Sequence, residues 1–125
     1  MSKKIIVSIA NQNLEAFDGK KSVFKFDCVT GGSDYPTTAG RFNILYGHKN
    51  YRSKKYDVQM NYALFFSADG KAFHQYHGHV PLSIVRAAKS TISDWFGSHG
   101  CVRLTEADAK ALFNWAPKGT LVQII

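Results

Sequence analysis

The sequence predicts a mainly β fold with short helices, in a single domain spanning residues 1–125. Apolar and polar residues alternate in short runs over the first half of the chain, the pattern of half-buried strands. Two Asp-Gly dipeptides, Asp18-Gly19 and Asp69-Gly70, supply the positive φ that tight turns between strands require. Apolar residues at helical spacing occur in two segments, both in the second half. These three observations indicate mostly antiparallel sheets with one or two short helices packed on them.

The first predicted strands lie on either side of a turn. Lys4–Ala10 is predicted to pair with Ser22–Gly32 in a β-hairpin, with the turn at Asp18-Gly19 between them. The second of these segments alternates apolar and polar residues, as a half-buried strand does. After a loop at Tyr35–Gly40, another strand is expected at Arg41–Tyr46.

Three further strands are predicted in the rest of the chain. A polar, basic segment at Gly47–Asp57 leads to a buried strand at Val58–Ser67. The turn at Asp69-Gly70 then leads into a strand at Ala72–Val80. A closing strand is expected at Thr120–Ile125.

Two short helices are predicted. Leu82–Trp95 has apolar residues at helical spacing. The second helix has a clearer start, because Thr105 is a suitable N-cap and acidic residues follow it in the first turn, where they oppose the helix dipole. Its apolar face contains Leu112, Trp115 and Ala116, and Pro117-Lys118-Gly119 ends it.

The charge of the chain favours an anionic partner. Its 16 Lys and Arg residues exceed its 9 Asp and Glu residues, which gives a net charge of +7. A cell-wall polymer, a nucleic acid or an anionic membrane would match that charge. The basic residues are scattered, however, and form neither a long basic helix nor an aromatic and basic platform. A nucleic-acid partner is therefore not predicted.

Membrane-spanning segments and disulfide scaffolds are also not predicted. No apolar run reaches the length of about 18 residues that a membrane span requires. Cys28 and Cys101 are too few for a disulfide-rich scaffold, and Cys28 is expected to be a buried strand residue.

Cys101 is a candidate nucleophile because of its neighbours in the segment Ser98–Leu104, which has the sequence SHGCVRL. It is predicted to lie between a loop and a capped helix, where backbone N–H groups or a nearby imidazolium would lower the pKa of a thiol. The N–H groups of Gly100 and Cys101 can face a developing oxyanion, and glycine permits close approach of the backbone. A thiol nucleophile also needs a base.

Candidate bases lie upstream, in the predicted strand that contains His74, His77 and His79. Side chains alternate along a strand, so His77 and His79 are expected to share a face with Phe73 and Gln75. His74 is expected on the opposite face. His77, which precedes a glycine, is the preferred base.

Three interpretations of these residues stay open at this point. In the first, Cys101 attacks a carbonyl and His77 transfers the proton. In the second, Cys101 joins three histidines in a zinc site, since four nitrogen and sulfur ligands suit that metal; those histidines are His77, His79 and His99. In the third, Cys101 is a small buried hydrophobe and the histidines have no chemical role.

The segment Ser98-His99-Gly100-Cys101 resembles the Ser/Thr-His-Gly-Cys signature of the L,D-transpeptidase (YkuD-type) catalytic domain. Other motifs of that family follow in the same order along nearly the whole chain. They are an opening hairpin ending in Thr30-Gly31-Gly32, Tyr35–Phe42 for Thr-Pro-Thr-Pro-x-Gly-x-Phe, Met60-Asn61-Tyr62 for Met-Pro-Tyr, Tyr76-His77-Gly78 for Ile-His-Gly, and Pro117–Val122 for Pro-x-Gly-Thr-x-Val. The four-residue signature is specific, whereas each other motif alone is weak.

The resemblance implies a β-sandwich fold and acyl transfer on peptidoglycan stem peptides, with no metal or cofactor. Cys101 would attack the carbonyl of the L-centre of the third stem residue, diaminopimelate or lysine, expel D-Ala and form a thioester. His77 would be the general base, and the backbone of Gly100 and Cys101 would bind the oxyanion. Resolution by an amine or a free D-amino acid would make the protein a transpeptidase, and resolution by water an L,D-carboxypeptidase.

The resemblance carries over further site residues, and His79 is added to them as a departure from the family, which commonly has Ser or Thr at that position. His99 would orient the loop, and Arg103 would hold a substrate carboxylate through its guanidinium. Ser98 and His79 are expected in the substrate site, where His79 is also a competing base. Tyr62 is expected either to line the site or to fill the core.

The resemblance also implies a place of action, the bacterial periplasm or cell wall. No secretory signal is predicted in this chain, so we expect export by another route or the loss of an export segment. One hypothesis is an antibacterial effector delivered by a secretion system. An immunity protein would then be a partner in the producing cell.

Overall fold

The computed structural model describes residues 2–31, 36–53, 58–76 and 100–125. These residues form the strands β1 (Lys3–Ser8), β2 (Asn13–Asp18), β3 (Lys21–Asp27), β4 (Gly40–Asn43), β5 (Tyr46–Ser53), β6 (Val58–Phe65), β7 (Ala72–Gln75), β8 (Val102–Leu104) and β9 (Leu121–Ile124). One helix, α1 (Glu106–Trp115), lies between β8 and β9 in this part of the chain. The mainly β fold is confirmed.

The strands form two sheets. The first has the order β3-β2-β1-β9-β4 and the second has the order β5-β6-β7-β8. Most neighbours are antiparallel, as predicted. Two pairs are parallel, β1 with β9 and β7 with β8, and the turn signals in the sequence gave no indication of either. A single antiparallel bridge between Val29 and Arg103 also ties the segment after β3 to β8.

A common core lies between the two sheets and the helix. Ile5 and Leu14 enter it from the first sheet, Phe73 and Leu104 from the second, and Leu112 from α1. All five side chains are at most 1% exposed, so they account for much of the hydrophobic stabilisation. Among the described residues, no helix combines the length and the apolar character that crossing a bilayer demands.

Helix α1 begins and ends as the sequence predicts. The Thr105 hydroxyl accepts a hydrogen bond from the Asp108 N–H at 3.3 Å, which satisfies one N–H of the first turn. At the other end, the Lys3 ammonium donates to the Trp115 carbonyl at 2.7 Å and lies 4.7 Å from the centre of its ring. A positive group at a helix C-terminus is favourable because it opposes the negative end of the dipole.

Two predicted segments differ from the structure. The hairpin partner of β3 is β2, not Lys4–Ala10. Strand β2 is as long as β1, but one of its two buried residues is an alanine, a weak strand former. The predicted strand Arg41–Tyr46 is divided between β4, which ends at Asn43, and β5, which begins at Tyr46 and includes the first part of the polar, basic segment Gly47–Asp57. Strand β5 is an edge strand paired with β6, and edge strands commonly carry exposed polar and basic residues. The predicted helix Leu82–Trp95 lies outside the described residues.

Candidate active site

Cys101 lies directly before β8, on the face of the second sheet that points away from the main core. Val102 and Leu104 are fully buried in that core, so the alternation of side chains places Cys101 and Arg103 on the opposite face. There Cys101 packs in a second, smaller cluster, whose other members are Met60, Ala63, Phe65 and Ala72. Val102 and Leu104 thus hold the strand in the main core, whereas Cys101 itself lies outside that core.

The expected contact between Cys101 and the helix N-terminus is wrong. Strand β8 separates the cysteine from the N-cap Thr105. Four residues of extended chain span about 13 Å, which is far beyond the first turn within which a helix dipole acts. The backbone groups of α1 therefore do not activate this thiol.

The pKa of Cys101 is raised, not lowered. Burial, which leaves the residue 6% exposed, raises the pKa of the thiol to about 11. A backbone hydrogen bond from Ala72 and the charges of Arg103 and Lys71 oppose that rise, and the charge of Asp69 adds to it. The thiol is therefore protonated at neutral pH, so any attack by this sulfur would need a base to remove the proton.

The turn between β6 and β7 forms one wall around the thiol. The sulfur of Cys101 lies 3.8 Å from the Gly70 carbonyl oxygen, to which the S–H donates a weak hydrogen bond. Lys71 follows Gly70, and Ala72, the first residue of β7, packs against Cys101. The sequence indicated a turn here but did not indicate that it borders the candidate nucleophile.

Gly100 has a conformation and a position that favour glycine. Its φ is +91°, in the left-handed region. A Cβ built on it would lie 2.5 Å from Cε of Lys71 and 3.0 Å from Cδ. The Lys71 side chain therefore lies across the backbone that precedes Cys101.

Replacing Gly100 by alanine is expected to reduce both stability and activity. The new side chain must displace Lys71 or shift φ, which moves the Gly100–Cys101 peptide. We expect a loss of about 1–3 kcal/mol in the free energy of unfolding, measured in urea, and about a hundredfold loss in kcat/KM. Gly119 has nearly the same φ, +93°, with no atom within 4 Å of a built Cβ, so Gly119→Ala is the matched control. Equal kcat/KM in the two variants would contradict a role for the Gly100 backbone.

Thr37 connects two loops at the site. Its hydroxyl accepts a hydrogen bond from the Gly31 N–H at 2.8 Å and donates one to the Gly100 carbonyl at 3.0 Å, and the residue is 5% exposed. In a trans peptide, the carbonyl of Gly100 and the N–H of Cys101 point in opposite directions. The hydroxyl that holds this carbonyl therefore also fixes the direction of the Cys101 N–H. The sequence placed Thr37 in a motif but gave it no role.

Removal of the Thr37 hydroxyl should loosen this peptide. Thr37→Val keeps the shape of the side chain but can neither accept from Gly31 nor donate to Gly100. We expect about 1–3 kcal/mol lower stability and about tenfold lower kcat, whereas Thr37→Ser should keep both near wild type. Urea denaturation and steady-state kinetics measure the two effects. An unchanged kcat in a destabilised Thr37→Val protein would show that the hydroxyl has only a structural role.

Arg103 lies on the same face of β8 as Cys101. It is 5% exposed, and its guanidinium carbon lies 5.6 Å from the centre of the Tyr76 ring, a cation–π arrangement. Its backbone N–H and carbonyl pair with Val29 at 2.9 Å each. The charge therefore acts on the thiol from a buried position.

Tyr62 is not in the same cluster as Cys101. Its ring meets Phe113 of α1 edge to face at 5.8 Å and packs against the main core. Its φ is +54°, a left-handed conformation that is rare for a bulky residue. Met60 and Ala63 are three positions apart and would lie on opposite faces of a regular strand, but both belong to the second cluster. The alternation of side chains along β6 therefore breaks at Tyr62. Of the two expected roles, this contact corresponds to filling the core.

Similarity to known proteins agrees with this fold. The YkuD family model, which describes the L,D-transpeptidase catalytic domain, matches residues 2–124. The chain belongs to this family. No curated protein matches it significantly.

Solved structures contain related YkuD-type folds. An L,D-transpeptidase from Stackebrandtia nassauensis is 28% identical with a TM-score of 0.83, and the match covers 100% of this chain and 56% of that one. A fused Zn-dependent amidase/peptidase/peptidoglycan-binding domain-containing protein from Clostridium acetobutylicum is 27% identical with a TM-score of 0.74, over 100% and 52%. An L,D-transpeptidase from Enterococcus faecium, 22% identical with a TM-score of 0.82 over 100% and 50%, is similar in fold. This YkuD-type chain thus spans about half the length of these proteins.

Four residues expected in the site of this YkuD-type domain lie outside the described residues: His77, His79, Ser98 and His99. The described part of their upstream strand has Phe73 and His74 on opposite faces, as predicted. Phe73 faces the main core, opposite Val102, whereas His74 pairs with Arg103 on the Cys101 face. His74 is 4% exposed, and its Nδ1 lies 2.8 Å from the Gln75 carbonyl oxygen. A carbonyl can only accept, so Nδ1 carries a proton.

A metal centre has no support from the described residues of this family member. Within residues 2–31, 36–53, 58–76 and 100–125, no group of three His, Cys, Asp or Glu side chains could hold a metal ion. The zinc alternative used Cys101 with three histidines outside those ranges. Both cysteines are thiols, and Cys28 is fully buried in the main core, as predicted, but it lies directly after β3 and not within the strand.

Proposed function

We propose that this chain catalyses cysteine-dependent acyl transfer on peptidoglycan stem tetrapeptides, with Cys101 as the nucleophile. The observation that carries the proposal is the setting of Cys101. Its thiol lies at the start of β8, beside a backbone peptide that Thr37 holds through the Gly100 carbonyl. Membership of a family named for L,D-transpeptidases supports the same chemistry.

The first half-reaction forms a thioester. The sulfur of Cys101 attacks the carbonyl carbon of the L-centre of the third stem residue, diaminopimelate or lysine, while His77 takes the thiol proton. Because burial keeps the thiol protonated, proton removal and attack are coupled. Collapse of the tetrahedral intermediate breaks the amide bond, and His77 returns the proton to the departing amine of D-Ala.

The second half-reaction determines the product. An amine from another stem, or a free D-amino acid, attacks the thioester and restores the thiol, which is transpeptidation or exchange. Water in the same role gives L,D-carboxypeptidase activity. Both outcomes use the same acyl-enzyme and the same proton transfers.

The backbone at Gly100 and Cys101 is proposed to stabilise the oxyanion. Preorganised N–H donors matter most when their direction is fixed before the reaction. The hydrogen bond from Thr37 to the Gly100 carbonyl supports this role, because it fixes the peptide that carries the Cys101 N–H. His99 is proposed to orient the loop, and Ser98 and His79 to contact the substrate.

Arg103 and Tyr62 have supporting roles in this proposal. The Arg103 charge lowers the pKa of Cys101 and so favours the thiolate as it forms. Tyr62 packs on Phe113 and supports the strand that borders the second cluster. A direct substrate contact by either residue is a further expectation from the family.

The proposed place of action is the bacterial periplasm or cell wall, where peptidoglycan stems occur. Delivery as an antibacterial effector is part of the same proposal and adds an immunity protein as a partner. Growth inhibition of a neighbouring cell after export would support delivery. A longer precursor with its own export segment would argue against it.

Incubation of the protein with purified disaccharide-tetrapeptide tests the proposed activity. Mass spectrometry should show loss of D-Ala, exchange with an added D-amino acid or cross-linked dimers, and a trapped adduct on Cys101. These products should persist in EDTA, because the mechanism uses no metal. Absence of every product, or their loss in EDTA, would refute the proposal.

A further inference from the structure

Lys71 lies beside the nucleophile, and the mechanism above does not use it. The residue directly precedes β7, and its Cε and Cδ pass within 2.5 and 3.0 Å of a Cβ built on Gly100. Its alkyl stem therefore covers the backbone next to Cys101. Its charge lowers the pKa of the Cys101 thiol, which places the ammonium within electrostatic reach of the sulfur.

The turn that precedes Lys71 contacts both the backbone and the ammonium of this residue. The Lys71 N–H donates to the Ser67 hydroxyl at 3.1 Å, and its ammonium donates to Asp69 Oδ2 at 2.6 Å. The other oxygen of Asp69 accepts from the Ser67 hydroxyl. Hydrogen bonds from Lys71, then from Ser67, hold the pKa of Asp69 below its usual value, so the carboxylate is ionised at neutral pH. Asp69 is thus a partner that a second carboxylate would have to share or displace at the ammonium.

Lys71 is the more accessible of the two cations that favour the thiolate. Its side chain is 20% exposed, whereas Arg103 as a whole is 5% exposed and stacks on Tyr76. An ammonium has three N–H donors, and Asp69 takes one of them. The remaining donors can bind an anion that approaches Cys101 from solvent.

The proposed donor substrate carries such an anion at a fixed distance. The carboxylate carbon of the terminal D-residue is three bonds from the scissile carbonyl carbon, which corresponds to about 3–4 Å. When that carbonyl carbon meets the sulfur of Cys101, the carboxylate must lie within a few ångströms of the thiol. A cation that recognises it must therefore lie next to Cys101, as Lys71 does.

We propose that Lys71 binds the terminal carboxylate of the donor stem and so selects peptides with a free C-terminal D-residue. The inference rests on the proposed function and names the specificity of the same site. A charge-assisted hydrogen bond of this kind corresponds to about a tenfold to hundredfold preference. Asp69 opposes this binding, because its carboxylate repels the carboxylate of the peptide and already accepts a hydrogen bond from the Lys71 ammonium.

The test compares a tetrapeptide acid with its C-terminal amide. Wild-type protein should favour the acid by about tenfold or more in kcat/KM. Lys71→Met, which keeps an unbranched stem over Gly100, should bring that ratio close to one, and Lys71→Arg should restore it. Asp69→Asn should keep the ratio at or above the wild-type value. If Lys71 served only as a structural partner of Asp69, Asp69→Asn would lower the ratio as Lys71→Met does, and that result would overturn the proposal.

Binding to an inactive protein separates this inference from the proposed activity. In Cys101→Ala protein, calorimetry should show tighter binding of the acid than of the amide, and Lys71→Met should remove the difference. Turnover without any acid preference would refute the role of Lys71 and leave the activity intact. A Lys71-dependent preference in binding, without turnover by wild type, would support Lys71 and refute acyl transfer. Equal binding of acid and amide would also overturn the role of Lys71.

Discussion

Cys101→Ala protein is expected to lose acyl transfer on stem tetrapeptides, with kcat/KM at least about a thousandfold below wild type. Without the sulfur no thioester can form, so both exchange and hydrolysis should disappear together. Product analysis by mass spectrometry measures both. The fold should persist, because Cys101 belongs to the small second cluster and not to the main core.

The second cysteine provides the matched control for this experiment. Cys28 is fully buried in the main core, so Cys28→Ala should lower stability and leave product formation by the folded protein intact. A Cys101→Ser variant adds a test of nucleophilicity at nearly constant volume. Full activity in Cys101→Ala would contradict the thiol mechanism outright.

His77→Ala is expected to lower kcat/KM by about a hundredfold or more, because a general base contributes on that scale. The structure also provides a second histidine, His74, whose variants can be compared with those of His77. His74 lies on the Cys101 face of β7, so it is a suitable comparison for His77 among the described residues. We expect His74→Ala to keep kcat/KM within a few fold of wild type when measured per folded molecule.

Volume must be controlled in the His74 comparison, since this side chain is only 4% exposed. His74→Gln retains most of the side-chain volume and removes the base, so it should match His74→Ala in activity and exceed it in stability. Denaturation in urea gives the folded fraction of each variant. Equal losses from the His74 and His77 variants would show that the base is wrongly assigned.

Local sequence signals were sufficient for much of the fold. The Thr105 cap and the apolar face of α1 are local features, and the helix begins and ends at the residues they predict. Strand β2 was missed because one of its two buried side chains is an alanine, a weak strand former. The parallel pairs join residues far apart in the chain, as Ile5 and Val122 are, and no local pattern encodes such pairing.

In the candidate site, too, features within a short segment could be predicted from the sequence, and contacts between distant segments could not. The signature around Gly100 and Cys101 could be recognised from four consecutive residues. The hydrogen bond from Thr37 and the contact with Lys71 join separate loops, so they required coordinates. The direction of the Cys101 pKa shift was also wrongly predicted, because burial by the second cluster is a tertiary effect.

The raised pKa of Cys101 has a consequence for the lifetime of the resting protein. Oxidants and electrophiles react with the thiolate, and a thiol that is 6% exposed with a pKa of about 11 contains little thiolate at neutral pH. In an oxidising compartment such a sulfur resists conversion to sulfenic acid or a mixed disulfide. In the proposed mechanism, the burial that makes the attack depend on a base would thus also protect the sulfur from oxidation.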